Sequence, residues 1–327
     1  MQVGVIGPAG PDRFADNVAD ALQRAGHSVV QCGPAHARHR SRHVQRAASL
    51  ARQALPGYDE RAQRRIVGTA LDASCEVVIN VDARLAPASV SLLRQGGARV
   101  AFWFPDHVSQ LGRQLMLLAP YHAVFFKEPH LVERLRCSLD APVYYLPQAC
   151  NPRWHRPLEA AGTEPSLAVV GNMYPARARL LERLAAAGIP LTLYGPPIPG
   201  WIGDTPLRAM HTGRSVYRED KARVFRSAAA VLNSMHPAEV AGVNARLLEA
   251  AGCGAAVLTE FRPTLPDLFD IGDEVLAFRD FDELVGQARR LLSEPGLTAH
   301  IGDAAARRAH SEHTYDRRVV TILEAVS

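Results

Sequence analysis

The run Gly242-Val243-Asn244-Ala245-Arg246-Leu247-Leu248-Glu249-Ala250-Ala251-Gly252-Cys253-Gly254 brings glycine, arginine and glutamate to helical spacing, directly ahead of the apolar run Ala255 to Leu258. It reads as a glycine-opened helix that stops at a second glycine pair and passes into a buried strand. A helix start presents unpaired backbone N–H groups and the positive end of a dipole, so a loop at Gly242, Val243 and Asn244 suits a phosphate or diphosphate. Glu249 lies five residues on, roughly 7 Å along the axis. A carboxylate there suits the ribose hydroxyls of a nucleotide whose phosphates sit at the helix start. Arg246, about one turn earlier, either pairs with Glu249 or faces the phosphates. An ordinary amphipathic helix with a surface Glu–Arg pair satisfies the same spacing.

Other chemistry-bearing residues fall where strands end. Gly7-Pro8-Ala9-Gly10 follows the first apolar run, and Gly7 and Gly10 either line a cleft or make a plain tight turn. Asp106 and His107 follow Phe102-Trp103-Phe104-Pro105; Asp106 beside His107 supplies a general base, a carboxylate that orients the His, or only a helix cap. Gly171 and Asn172 precede a helix with Pro175 at its start, and Arg177 and Arg179 oppose that helix dipole, as a phosphate-binding arginine would. Tyr194-Gly195 offers a platform for a base, and His211-Thr212-Gly213 and Asn233-Ser234 follow. Asp280-Phe281-Asp282 has the letters of a metal motif, but Asp280 with Glu283 reads as a helix cap, so no metal site is expected.

These positions need strands and helices to hold them, and the chain supplies them in alternation. Apolar runs at Val3–Ile6, Ser28–Val30, Val77–Asn80, Arg99–Phe102, Ala123–Phe126 and Val143–Leu146 are separated by helix-length segments, which predicts parallel strands with helical crossovers. The stretch from Asn151 to Glu164 carries Pro152, Pro157 and Gly162 without periodicity, and a new strand starts at Ser166. The expected organisation is a first domain over 1–150, a linker over 151–165, a second domain over 166–312, and a terminal helix over 313–327 that crosses back onto the first.

Composition sets the outer bounds. The chain has 327 residues, 47% hydrophobic and 21% charged, with a formal charge of +4, as expected of a globular two-domain protein. No apolar run has membrane-spanning length and Met1 to Ile6 lacks a leader pattern, so a cytoplasmic protein is expected. Cys32, Cys75, Cys137, Cys150 and Cys253 are scattered and read as core residues, not as a disulfide or zinc framework. The Arg- and His-rich stretch from His36 to Arg65 lacks interleaved aromatics. It reads as a solvated helix face or loop, or a docking surface for an anionic acceptor, and no nucleic acid is expected.

The motifs from Asn244 to Gly254, then Leu258-Thr259, Leu268-Phe269, Gly272-Asp273-Glu274-Val275, Asp282-Glu283-Leu284 and His313-Thr314-Tyr315 with Arg317 and Arg318, occur in one order. Together they resemble the CgeB-like, spore-maturation-type glycosyltransferases among the group-1 glycosyltransferases of GT-B fold. The resemblance covers residues 166–327 and thins over 100–165. It implies an α/β chain of two Rossmann-like, doubly wound domains facing across a cleft. The second would bind a nucleotide-diphosphate sugar as co-substrate, with UDP, GDP and dTDP all open, and no metal or other cofactor is implied. On this likeness Glu249 binds the donor ribose, Gly242, Val243 and Asn244 hold phosphates, and Arg177 with Arg246 neutralises charge. Gly171, Asn172, Tyr194, Gly195, Asn233 and Ser234 line the base and phosphate pocket. Related enzymes often carry a first glutamate eight positions earlier, where this chain has Ala241 and where Glu239 stands two residues off.

Transfer of a sugar to a small-molecule, glycan or protein acceptor is the leading expectation. A sugar-nucleotide epimerase on the same fold and a catalytically silent nucleotide-sugar-binding scaffold are the alternatives. A nicotinamide dehydrogenase is disfavoured, because no G-x-G-x-x-G loop follows either opening strand.

Overall fold

The computed structural model describes residues 1–35, 41–55, 57–112, 114–139, 141–159, 162 and 164–327. His36 to Arg40, the centre of the basic run, lie outside the described residues. The chain divides into two compact units, one of Met1–Leu146 with Asp316–Ser327, the other of Pro147–Tyr315.

The first unit runs β1 (Gln2–Ile6), α1 (Phe14–Arg24), β2 (Ser28–Gly33), α2 (Arg42–Ala54), α3 (Tyr58–Asp72), β3 (Val77–Asn80), α4 (Pro87–Gln95), β4 (Arg99–Phe104), β5 (Ala123–Phe126), α5 (Pro129–Leu139) and β6 (Val143–Tyr145). Its strands form a parallel sheet in the order β2-β1-β3-β4-β5-β6. Helices cover both faces of such a sheet, so its inner strands read as unbroken apolar runs. Val77 to Asn80 and Ala123 to Phe126 are buried at every position. Trp103 is fully buried on β4 and donates its indole N–H to the Leu146 carbonyl at 3.1 Å. Of the basic stretch, Arg61, Arg64 and Arg65 lie exposed along α3.

The second unit runs β7 (Glu164–Val170), α6 (Pro175–Ala186), β8 (Leu191–Tyr194), α7 (Leu207–Met210), α8 (Arg218–Ser227), β9 (Ala228–Asn233), α9 (Ala245–Gly252), β10 (Val257–Glu260), α10 (Leu265–Leu268), β11 (Leu276–Phe278), α11 (Phe281–Ser293) and α12 (Pro295–Glu312). Its parallel sheet has the order β11-β10-β9-β7-β8. After β7 the chain moves to one side for β8 and then to the other for β9. The carboxyl ends of β7 and β9 therefore flank the point where strand order reverses, the place where open α/β sheets bind ligands.

Residues 151–159 belong to this second unit. Asn151 and His155 are fully buried and Trp154 nearly so. Asn151 N–H donates to His155 Nδ1 at 3.0 Å and His155 N–H returns to the Asn151 carbonyl at 2.7 Å. A single locked turn carries no hydrophobic periodicity, which is why the stretch reads as a linker. The last helix, α13 (Tyr315–Val326), counts with the first unit from Asp316 onward. Arg24 on α1 holds it, donating to both Asp316 carboxylate oxygens at 3.0 and 3.1 Å while pairing with Asp20.

Two helical glycines separate packing from propensity. A Cβ on Gly302 of α12 would lie 2.3 Å from the Gly254 carbonyl oxygen, whereas a Cβ on the exposed Gly286 of α11 meets nothing within 4 Å. Gly302→Ala is expected to destabilise by about 1–3 kcal/mol through overpacking, and Gly286→Ala to stabilise by up to about 1 kcal/mol. Urea denaturation of both variants checks this; equal effects of one sign would contradict the packing described for α12.

Candidate active site

Five segments converge at the reversal point of the second sheet. The carboxyl end of β7 supplies Gly171 and Asn172, and Gly171 N–H donates to the Tyr194 carbonyl at 2.8 Å. The end of β8 supplies Gly195, whose N–H donates to the Arg214 carbonyl at 2.9 Å. The end of β9 supplies Asn233 and Ser234, α6 supplies Arg177 in its first turn, and α9 supplies Arg246 and Glu249.

The two glycines are fixed by close approach. A Cβ on Gly195 would sit 2.5 Å from the Gly171 carbonyl oxygen, and one on Gly171 would sit 2.6 Å from Nη2 of Arg246. Both have positive φ, +147° and +124°, a region glycine occupies without a steric penalty. The Arg246 guanidinium therefore lies close against the backbone at Gly171.

Arg177 is the second cation of the cluster and is 5% exposed. Its Nε donates to Ser234 Oγ at 3.0 Å, Nη2 to the Ser234 carbonyl at 3.0 Å, and Nη1 to the Asn172 carbonyl at 2.9 Å. Its guanidinium also stacks 4.7 Å from the Tyr174 ring centroid, and the Tyr174 hydroxyl donates to the Met235 carbonyl at 2.8 Å. Burial, and then the Arg246 charge, push its pKa from 12.5 down to about 10. Two guanidinium groups that disfavour each other's charge, Arg177 held by loop carbonyls and Arg246 against the Gly171 backbone, make a receptacle for a multiply charged anion. Arg179, two residues on, points outward and is exposed.

Helix α9 begins at Ala245, later than the Gly242 start expected from sequence, because Asn244 caps it with its side-chain oxygen 3.3 Å from the Leu247 N–H. Asn244 Nδ2 turns to the Met235 sulfur at 3.3 Å. Val243 is fully buried in the core, so it offers a phosphate only backbone, as does Gly242. Glu249 is 8% exposed and pairs with Lys221 of α8, Nζ to Oε2 2.9 Å. Nothing in sequence spacing marks Lys221 except its place on the face of α8 that also buries Ala222, Val224 and Phe225.

The remaining expected residues divide by place. Tyr194 is buried with Arg214 over its ring at 5.6 Å, and burial raises its hydroxyl pKa. His211 accepts the Gly213 N–H on Nδ1 at 3.0 Å, closing the turn beside β8, and Gly213 has φ +76°. Asn233 is fully buried and donates to Thr259 Oγ1 at 3.1 Å. Asp280 accepts the Glu283 N–H at 2.9 Å, and Glu283 accepts the Arg279 N–H at 2.7 Å, the helix start read from the sequence. Asp106 and His107 lie in the first unit beyond β4, where a 3-10 turn over Val108–Gln110 starts from His107, so Asp106 is not the cap. His107 Nδ1 meets Ser109 Oγ at 2.7 Å. Gly7 packs β1 against Val81, whose Cγ2 would be 2.4 Å from a Cβ there, and Gly10 has φ +141°.

Comparison with known proteins fixes the fold. The fold is matched over 99% of this chain and 98% of the other by sucrose-phosphate synthase from Thermosynechococcus elongatus, at TM-score 0.67 and 15% identity. AviGT4, a glycosyltransferase involved in avilamycin A biosynthesis, matches over 100% and 97% at TM-score 0.65 and 20% identity. Anabaena HepE in complex with UDP matches over 99% and 100% at TM-score 0.66 and 12% identity. The architecture is the GT-B fold of glycosyltransferases, two parallel-sheet Rossmann-like domains. Residues 177–324 match the family described as glycosyl transferase-like. A comparison with the curated proteins gives no match.

Gly171 tests the anion receptacle directly. Gly171→Ala strains a backbone at positive φ and displaces Arg246, so binding of inorganic pyrophosphate is expected to weaken at least tenfold, with a stability loss of about 1–3 kcal/mol. Calorimetric titration checks it; unchanged pyrophosphate affinity in a folded variant would remove Arg246 from the receptacle.

Proposed function

We propose that the chain transfers a sugar from a nucleotide-diphosphate sugar to a hydroxyl or amine acceptor, and that the second unit binds the donor. The observation that carries this reading is the meeting of Arg246, over Gly171, with Arg177, held on Asn172 and Ser234, at the reversal point of the sheet, with Glu249 one helical turn beyond Arg246. The diphosphate sits against the two guanidinium groups and the start of α9, and the ribose hydroxyls donate to Glu249. HepE, of like fold, was solved with UDP and with UDP-glucose. A hexose donor is the natural counterpart here, with UDP, GDP and dTDP all open. The ordered motifs from Asn244 to Arg318 extend the reading to the CgeB-like subgroup.

As the bond from the anomeric carbon to the diphosphate breaks, negative charge grows on the leaving oxygen. Arg177 is already buried and held by three hydrogen bonds and Arg246 is half-buried beside it, so they stabilise that charge with little reorganisation. This is work a divalent metal does in other transferases, and transfer is expected to persist in excess EDTA; abolition reversed by added metal would overturn the metal-free reading. An inverting transfer needs a base, for which the first unit offers Asp106 and His107, whereas retention needs none.

The deciding experiment is a thermal-shift panel of UDP, GDP, dTDP, ADP and CDP on the wild type and on Glu249→Gln. A diphosphate at a hundred times its Kd adds about 2.7 kcal/mol, worth about 5–10 °C in a unit of this size. One nucleotide is expected to stabilise the wild type and to lose most of that effect in the variant. Equal shifts in both proteins would exclude Glu249 as the ribose acceptor. Turnover of donor without acceptor would point to an epimerase instead, and donor binding without transfer to any acceptor to a silent scaffold.

A further inference from the structure

Lys221 and Glu249 form an ion pair in which both side chains are at most a tenth exposed. Such a pair needs a reason. Removing two charges from water costs several kcal/mol per ion, and apolar residues of similar volume would pack between α8 and α9 without that penalty. The pair lies beside a locked turn. His155 is fully buried, and its Nδ1 accepts the Asn151 N–H at 3.0 Å, so in the neutral ring the proton resides on Nε2. A ring nitrogen of His155 lies within 4.8 Å of a Glu249 carboxylate oxygen. Arg218, which opens α8, has φ +49°, an unfavourable value for a residue with a side chain. Its guanidinium lies 4.5 Å from the Trp154 ring centroid, next to His155 in the same locked turn. Backbone strain maintained by surrounding contacts collects where a side chain must be aimed.

We propose that Lys221 is a positioning residue for donor recognition: by holding Oε2 of Glu249 it aims Oε1 at the ribose hydroxyls. The proposal rests on the donor-site reading above. Without Lys221 the carboxylate has no fixed orientation, and discrimination between a ribonucleotide and its dideoxy counterpart is lost while diphosphate binding remains. Lys221 thus acts through Glu249 and touches no reacting atom.

The test is calorimetric titration of UDP, GDP, ADP and CDP, each beside its 2′,3′-dideoxy counterpart, into wild type, Lys221→Gln, Lys221→Arg, Glu249→Gln and the double variant Lys221→Met with Glu249→Gln. Ligand-free melting of each variant is recorded alongside. The wild type is expected to favour the ribose form at least tenfold. Lys221→Gln is expected to cut that preference to threefold or less with the dideoxy affinity unchanged, and Lys221→Arg to restore part of it. The double variant, which removes both charges and therefore folds even if Lys221→Gln does not, is expected to match Glu249→Gln alone. A full preference in Lys221→Gln, with the preference lost in Glu249→Gln, would overturn the role of Lys221 and leave the ribose assignment standing. Dideoxy affinity lower in the double variant than in Glu249→Gln would overturn it too, since Lys221 would then act on the phosphates. A full preference in Glu249→Gln, or binding of no diphosphate at all, would instead sink the donor-site reading itself.

Discussion

The mutual disfavour of Arg177 and Arg246 is the constraint around which the second unit is arranged. Desolvation and the neighbouring charge together depress Arg177, and the protein offsets that cost with three hydrogen bonds from one guanidinium to Ser234 and Asn172 and with the Tyr174 ring beneath it. Ser234 and Asn172 stand at the carboxyl ends of β9 and β7, the two strands that flank the reversal of strand order. The cluster is therefore placed by topology before side chains refine it. Arg246 reaches the same point from α9 only because residue 171 lacks a side chain.

Strand ends were the legible part of the chain. Inner parallel strands are buried on both faces and read as near-continuous apolar runs, so Val77–Asn80 and Ala123–Phe126 stand at the bounds the sequence predicts. Gly171 and Gly195 stand out as punctuation for the same reason. Helix starts were less legible, since Asn244 moves the start of α9 by using its own side chain as the cap. Lys221 was not legible at all. It sits in Arg218-Glu219-Asp220-Lys221-Ala222-Arg223, a sequence that reads as solvent-facing, and only its register with Val224 and Phe225 places it inside. Trp154 and His155 are not legible either, because a one-turn motif has no period.

One motif holds two kinds of constraint, and the structure separates them. From Asn244 to Glu249 the residues are fixed by chemistry: a cap, a cation over the β7 loop, and a carboxylate with a buried partner. From Ala250 to Gly254 they are fixed by space. A Cβ on Gly252 would lie 2.8 Å from the Cys150 Cβ and 3.0 Å from the His155 carbonyl oxygen, while Gly254 has φ +72° against Pro157. The back of α9 thus rests directly on the locked turn whose His155 neighbours Glu249. Smallness at Gly252 is what lets that turn approach closely enough for its imidazole to stand beside the carboxylate. A larger residue there would move His155 and Glu249 apart without touching either side chain, so the packing half of the motif sets the geometry that the chemical half depends on.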